Sequence, residues 1–532
     1  ISRMIHRSSR TRLRFWLNKV LSDKARHSKI AGLKRTIQMN QPLNTRPIGI
    51  SGLAAYIPPY RVWLEDWCDW TENQWPKIRE VVGRSFRVRG PNHSVYTMAA
   101  NAVLRLIDQY DVDPTRVKFL GLGTESSTDN SAGAIIIKGM VDEALIARGK
   151  APISRSCEVP EFKHACLGGV YGMKGAIRHL ALDGAGSQAI VVCADIAEYA
   201  RGSSGEPTQG AGAVAMLLEE NPQLAVVDLV GSGSASDYRI MDFRKPMARF
   251  CGQDRSESHQ VQDFPVFNGK YSTTCYIDET LHALNDMYEK RKLDPSQDLR
   301  SLRTVFMHRP YRRMPETGWA VSYLFALGNG NSEDKAELAS YCYEAGIDVA
   351  LMLKEMASKP EIASLAQPDT LNYEAYPLTM AALRAFRASR HFRREILDKM
   401  KLGSDTMLDL GNLYTAALPA WMAAGFEQAL DENSLEAGQE VLTLGYGSGD
   451  AAEVIPFFMA EGWKEATRKI HFADAMQFAV DLTFDQYKAL HDGRRASGLD
   501  YVPNNEFVIE RVGGSDERHF ADLGIEYYKY IA

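Results

Sequence analysis

Val117-Lys118-Phe119-Leu120-Gly121-Leu122-Gly123-Thr124-Glu125-Ser126 is an almost unbroken apolar run that ends in glycine and then turns polar at once. Seven residues is short for a helix, and an apolar run of this length is how a strand reads when both of its faces are buried. The same form recurs at 189–194, 211–218, 304–307 and 441–445, with helical periodicity at 97–110 and 170–182. Alternation of such strands with helices predicts an α/β protein of mixed layers. Ligands and catalytic groups gather at the carboxyl ends of strands in open α/β sheets, so Glu125 is a candidate general base. Taken alone, a glutamate at such a place is more often a cap or a solvated loop acid.

The 532 residues, 45% of them hydrophobic, are enough for one large domain or two fused core-forming halves. A net charge of −5 gives no overall reason to expect nucleic acid or an anionic membrane as a partner. Seven scattered cysteines without a CxxC pair suggest neither a disulfide framework nor a zinc site, and imply a reducing, intracellular compartment. No stretch approaches 18 consecutive apolar residues, so no transmembrane helix is expected. Residues 1–40 carry eleven Lys or Arg against the single acid Asp23. That composition suits a transit peptide or an upstream extension equally, and 1–45 is set apart from the fold. The localisation expected is cytoplasmic, or mitochondrial if this segment is a targeting sequence. Residues 330–400, rich in Glu, Lys, Ala and Arg and interrupted by Pro360, Pro368 and Pro377, read as inserted helices on the surface.

Cys166, in Phe162-Lys163-His164-Ala165-Cys166-Leu167-Gly168-Gly169, precedes a helical pattern. The positive end of a helix dipole and its free amides favour thiolate, which makes Cys166 a candidate nucleophile. Isolated cysteines are usually small buried hydrophobes, but Gly168 and Gly169 allow a substrate to approach the backbone closely. His308 follows another apolar run and leads the basic cluster Arg309, Arg312 and Arg313. Three guanidinium groups so close together repel unless an anion or acidic side chains offset them, so a phosphate-bearing partner is expected there, with pairing to acids of 330–400 as the alternative. The glycine-rich turns 205–213 and 445–450 lack dinucleotide or P-loop spacing.

Eight segments in order give the chain a resemblance to a known family. They are Gly123-Thr124-Glu125-Ser126, Ala165-Cys166-Leu167-Gly168-Gly169, Ala194-Asp195-Ile196-Ala197-Glu198-Tyr199-Ala200, Pro207-Thr208-Gln209-Gly210-Ala211-Gly212-Ala213-Val214-Ala215-Met216, Asp242-Phe243-Arg244-Lys245-Pro246, His308-Arg309-Pro310-Tyr311, Gly411-Asn412-Leu413-Tyr414-Thr415 and Tyr446-Gly447-Ser448-Gly449. Over most of 46–330 and 405–460 the chain resembles the hydroxymethylglutaryl-CoA synthases, thiolase-fold condensing enzymes. The resemblance implies a thiolase-like five-layer αβαβα fold of two related halves, 46–225 and 226–532, the second holding the helical insertion, and a homodimer. It implies Cys166 as the acyl-accepting nucleophile, Glu125 as general acid/base and His308 as the residue that orients the acceptor. It further implies Thr208, Ser272, Asn412 and Ser448 as pocket residues, Arg313 in place of a CoA-contacting lysine, and Asp195 and Asp242 as supporting acids.

The activity implied is transfer of an acetyl group to Cys166, deprotonation of its methyl by Glu125, attack on the ketone of an acetoacetyl thioester and hydrolysis from the enzyme. The substrates are thioesters of coenzyme A or of an acyl carrier protein, and no metal, nicotinamide or flavin is called for. Leu167 replaces the tyrosine usual after the nucleophile, Asp450 stands where a small or neutral residue is common, and the 330–400 insertion is long. A carrier-protein-dependent synthase of polyketide β-branching therefore stays open, as do a decarboxylating ketosynthase and a non-catalytic thiolase-fold scaffold.

Overall fold

The computed structural model describes residues 46–532, apart from 127–131, 240, 243, 246–263, 267 and 359. The basic segment 1–45 lies outside the described residues. Only elements that position the site are numbered here. The strands are β1 (Ile48–Tyr56), β2 (Val117–Gly123), β3 (Glu161–Phe162), β4 (Gln188–Ala197), β5 (Gly210–Glu220), β6 (Ala225–Val227), β7 (Gly233–Ser236), β8 (Val305–Met307), β9 (Glu440–Gly447) and β10 (Ala451–Met459). They form one ten-stranded sheet in the order β8-β9-β10-β6-β1-β5-β4-β2-β3, with β7 on β10.

The pairing repeats itself across the sheet. On one side β2 and β4 run parallel and β5 returns antiparallel to β4. On the other β8 and β9 run parallel and β10 returns antiparallel to β9. The short join is made by β1 with β6, where Gly49 faces Val226 and Ile50 faces Ala225. These strands are apolar almost throughout because helices cover both faces.

Helices α1 (Val95–Gln109) and α2 (Gly133–Ala147) cover one face of the β2-β4-β5-β1 strands. Their buried residues join Leu120, Ile190, Val192 and Ala215 in one apolar cluster. A capping box between Ser94 and Thr97 starts α1. The other face is packed by α3 (Gly168–Ala181) and α9 (Ala417–Glu432), which also meet the second set of strands. A Cβ on Gly445 of β9 would sit 2.6 Å from Leu167, and Phe306 of β8 packs edge-on against Trp421 of α9. Beyond the second set lie α4 (Gly269–Arg291) and α5 (Arg313–Asn329), with Tyr276 of α4 against Tyr446 of β9. The layers are therefore helix, strands, helix, strands, helix, with both sets of strands belonging to the one sheet.

Residues of the 330–400 segment form α6 (Ser332–Ala345), α7 (Val349–Ala357) and α8 (Pro377–Ala388). The expectation that they lie merely on the surface needs correction. Leu338, Tyr341, Cys342, Met352, Leu383 and Phe386 are buried within the same core as α5. Among the described residues, no helix is long and apolar enough to cross a membrane.

One buried ion pair ties the middle helix layer to the second set of strands. Lys174 Nζ of α3 lies 2.6 Å from Glu453 Oε2 of β10, both side chains under a tenth exposed, and Ser234 Oγ donates to the same oxygen at 2.7 Å. Removing one member of such a pair strands a charge in low dielectric. Lys174→Met should cost about 3–5 kcal/mol in urea unfolding. The double change Lys174→Met with Glu453→Leu should recover most of that. Equal losses in the single and double variants would show that the pair is not what holds α3 to β10.

Candidate active site

Four strand ends supply the candidate residues. Glu125 follows β2, Asp195 lies near the end of β4, His308 follows β8 and Ser448 follows β9. Asp195 is fully buried. Its Oδ1 accepts from Thr124 Oγ1 (3.0 Å) and from the backbone N–H groups of Glu125 (2.8 Å) and Ser126 (3.0 Å), and lies 2.8 Å from Ser126 Oγ. Its Oδ2 accepts from the Thr415 amide at 2.9 Å and lies 2.5 Å from Thr415 Oγ1. The carboxylate thereby sets the turn carrying Glu125 and fastens it to the loop between Asn412 and α9. Burial raises the Asp195 carboxyl against the pull of these donors.

Glu125 is 7% exposed, and its Oε2 has no hydrogen-bond partner. Burial pushes its carboxyl up to about 8; Lys245 and Lys163 oppose the shift, whereas Asp195 and Asp242 add to it. At neutral pH a carboxyl so raised is mostly protonated. It titrates close to where a general acid/base is most useful.

Cys166 sits one residue after Ala165, which is held at a φ of 41° in the left-handed region. The thiol is buried in a small cluster with Ala197, Tyr199 and Tyr414. The close approach depends on glycine: a Cβ on Gly169 would lie 2.2 Å from Cys193 Sγ, and one on Gly123 would lie 2.5 Å from the Gly169 backbone. Helix α3 is thus laid directly on β2 and β4. The expectation that the helix N-terminus would favour thiolate is not met. Burial, reinforced by Glu125, Asp195 and Asp242, holds the Cys166 thiol well above its ordinary range. Three acids and the loss of water outweigh a dipole equivalent to about half a charge.

His308 is 1% exposed, and neither ring nitrogen has a hydrogen-bond partner. Its backbone is fixed by the Leu444 carbonyl (2.7 Å) and the Tyr276 hydroxyl (3.0 Å). Burial lowers its pKa to about 3, so the ring is neutral and offers an uncharged N–H. Asn412 donates its backbone N–H to the Thr208 carbonyl (2.9 Å), which brings these two predicted residues together. Thr208 also lines a cavity of about 310 Å³ with Val82, Lys270, Thr273 and Tyr311. Ser272, in the first turn of α4, is buried with an unpartnered hydroxyl. Ser448 is half-buried in the turn between β9 and β10, next to Gly447, where a Cβ would meet the His164 carbonyl at 2.6 Å. Arg313 is paired with Glu80, so acids outside the 330–400 segment offset it.

Several neighbours were visible only as members of motifs. Tyr199 and Tyr414 wall in Cys166, and their rings stand 6.4 Å apart at 82°. The Tyr446 hydroxyl lies 2.7 Å from Asp242 and 3.0 Å from Asp450. One hydroxyl proton cannot serve two carboxylates at once. Burial beside Asp242 raises the Asp450 carboxyl far above its usual range, so this departure from the family pattern enters the site as a neutral acid. Asp242, Cys275 and Asp450 could each turn a ligand atom to a common point, but Arg239 Nε already lies 3.6 Å from Asp450.

The titrations give two tests. Because the folded state binds the Glu125 proton more tightly than the unfolded chain, wild-type protein should lose stability as pH rises from about 4.5 through 8. Glu125→Gln lacks that loss, and the gap between the two unfolding free energies should grow by on the order of 4 kcal/mol over this window. Parallel stability curves would mean that Glu125 ionises freely. Second, Cys166 of the substrate-free protein should be alkylated by iodoacetamide more slowly at pH 7.5 than a free thiol, as read by peptide mass spectrometry. Rapid labelling would restore the thiolate reading.

The family description "Hydroxymethylglutaryl-coenzyme A synthase N terminal" matches residues 44–223. The hydroxymethylglutaryl-CoA synthase of Haloferax volcanii is 26% identical over 440 residues, covering 80% of this chain and 87% of the relative. That of Enterococcus faecalis is 24% identical over 461 residues, covering 86% and 95%. Among solved structures, MvaS in complex with 3-hydroxy-3-methylglutaryl coenzyme A superposes with a TM-score of 0.69 at 23% identity, covering 92% of this chain and all of that one. The curacin pathway HMG synthase in complex with acetyl donor-ACP gives 0.64 at 18% identity, covering 91% and 100%. Residues 44–223 thus match the N-terminal family description, and over most of its length the chain is similar in sequence to hydroxymethylglutaryl-CoA synthases.

Proposed function

We propose that this chain condenses two acyl thioesters, with Cys166 as acyl carrier and Glu125 as general acid/base. The observation that carries the reading is a buried cysteine thiol in the same field as a buried carboxyl raised to about 8, with a buried neutral histidine at the end of β8. In the first step Cys166 sulfur bonds to the acetyl carbon, the donor thiolate leaves, and the cysteine proton passes to it. Holding the donor covalently turns one difficult encounter into two easier steps.

Glu125, once deprotonated, removes a proton from the bound acetyl methyl. The resulting carbon attacks the ketone of an acetoacetyl thioester, and the new alkoxide takes up a proton. Backbone amides near Cys166 and Ser448 suit the charge that develops on the donor oxygen; the N–H of His308 and the Asn412 side chain suit that on the acceptor. Water then cleaves the thioester to Cys166 and regenerates its thiol. Every step is an acyl or proton transfer, so the chemistry proposed calls for no metal, nicotinamide or flavin.

Glu125 disfavours the ketosynthase reading, since decarboxylation makes a carbanion without such a base. A scaffold has no chemical reason to keep Cys166, Glu125 and His308 together. For the donor and acceptor carriers, coenzyme A and an acyl carrier protein both fit, and the resemblance also supports a homodimer. Intact mass after incubation with acetyl-CoA, and separately with an acetylated carrier protein, should show a single acetyl adduct that disappears in Cys166→Ala. Whichever donor acetylates Cys166 names the substrate class. Glu125→Ala should keep the adduct while condensation falls about 10²-fold or more. Equal loss of both half-reactions would mean that Glu125 shapes the site instead of carrying the proton.

A further inference from the structure

The three arginines that follow His308 do not act as one cluster. Arg312 pairs with Glu316 at 3.3 Å, and Arg313 pairs with Glu80 and, at 4.0 Å, with Glu316. Arg309 turns elsewhere. Its side chain is 4% exposed, its Nη1 donates to the Ser404 carbonyl (3.2 Å) and hydroxyl (2.8 Å), and its guanidinium lies 5.0 Å from the Trp421 ring centroid. Its Nη2 has no hydrogen-bond partner, and among the described residues no carboxylate forms an ion pair with it. Burial lowers its pKa to about 10, which still leaves it charged at neutral pH. A buried cation without an ionic partner is costly to the fold, and a guanidinium edge is shaped for an oxyanion.

Arg309 faces a cavity of about 300 Å³ whose wall also carries Arg312 and Lys401. Both acids in that wall are already paired, Glu316 with Arg312 of the same wall and Asp405 with Arg84 at 3.0 Å, while Lys401 reaches Glu432 at 2.9 Å, so Arg309 is the wall cation without an ion pair among the described residues. This cavity shares no lining residue with the one that Thr208 lines. We propose that it is an anion site for a small phosphate-bearing molecule, with Arg309 as the buried donor and Arg312 and Lys401 at its rim. The site is independent of the condensation proposed above. It lies directly behind the turn that carries His308.

Isothermal titration of the full chain with inorganic phosphate, at constant ionic strength set by chloride, tests the assignment. Wild-type protein should bind one phosphate saturably, and saturating CoA should leave that binding in place. Arg309→Met should weaken it at least tenfold, and Lys401→Ala and Arg312→Ala each by a few-fold. The two rim variants decide the matter if Arg309→Met fails to fold. The proposal is overturned by absence of saturable binding, or by unchanged affinity in Arg309→Met or in both rim variants. Displacement of phosphate by CoA would also overturn it, by making the cavity the phosphate end of the thioester site.

Discussion

Asp195 is the interaction on which the arrangement of the site depends. One buried carboxylate gathers donors from Thr124, Glu125, Ser126 and Thr415, which come from the end of β2 and from the loop before α9. The amides of Glu125 and Thr415 are buried and would lose a partner without it, whereas Ser126 also bonds Thr124 Oγ1 at 3.1 Å and the Ile196 carbonyl at 3.2 Å. The penalty for misplacing the Glu125 turn is therefore spread over several hydrogen bonds. That is how a loop residue acquires the fixed geometry of a strand residue.

The same lack of water decides the charge states. Glu125 and Cys166 are both held towards their neutral forms, and Asp450 is kept neutral beside Asp242. In the resting site a free thiolate next to ionised carboxylates would be strongly disfavoured. Once the sulfur carries an acyl group it can no longer ionise, and one source of repulsion against a charged Glu125 is gone. In the proposed reaction acyl transfer precedes proton abstraction because the proton removed belongs to the acyl group on Cys166.

Two halves that each repeat a parallel pair and an antiparallel return meet across α3 and α9. The Lys174–Glu453 pair and the glycines beneath α3 hold that middle layer close against the strands on either side of it. The helices of 330–400 add to the core around α5, whose first turn follows directly on the loop of His308 and Arg309.

Much of this was legible in the sequence. The apolar runs that became β2, β4, β5, β8 and β9 could be read because burial on both faces removes polar residues from a strand, and those of β2, β4, β8 and β9 ended at candidate site residues, whereas β5, antiparallel to β4, begins at that end. Glu125, Cys166 and His308 stood out as polar groups at abrupt ends of such runs. Charge and protonation could not be read there, because they depend on what surrounds a group in space. A helix start next to Cys166 suggested thiolate, whereas the acids that suppress it come from distant parts of the chain. Arg309, Arg312 and Arg313 looked like one basic entrance from their spacing, yet successive side chains leave a turn in different directions, and the fold supplied Glu80 and Glu316 to two of them and a cavity to the third. Sequence by itself determined the element pattern and the reactive residue types, which are properties of local chain and local burial. Only the tertiary structure decided ionisation, pairing and which cation was left without an ion pair, since those are set by neighbours in space, some of them as far along the chain as Glu80 is from Arg313.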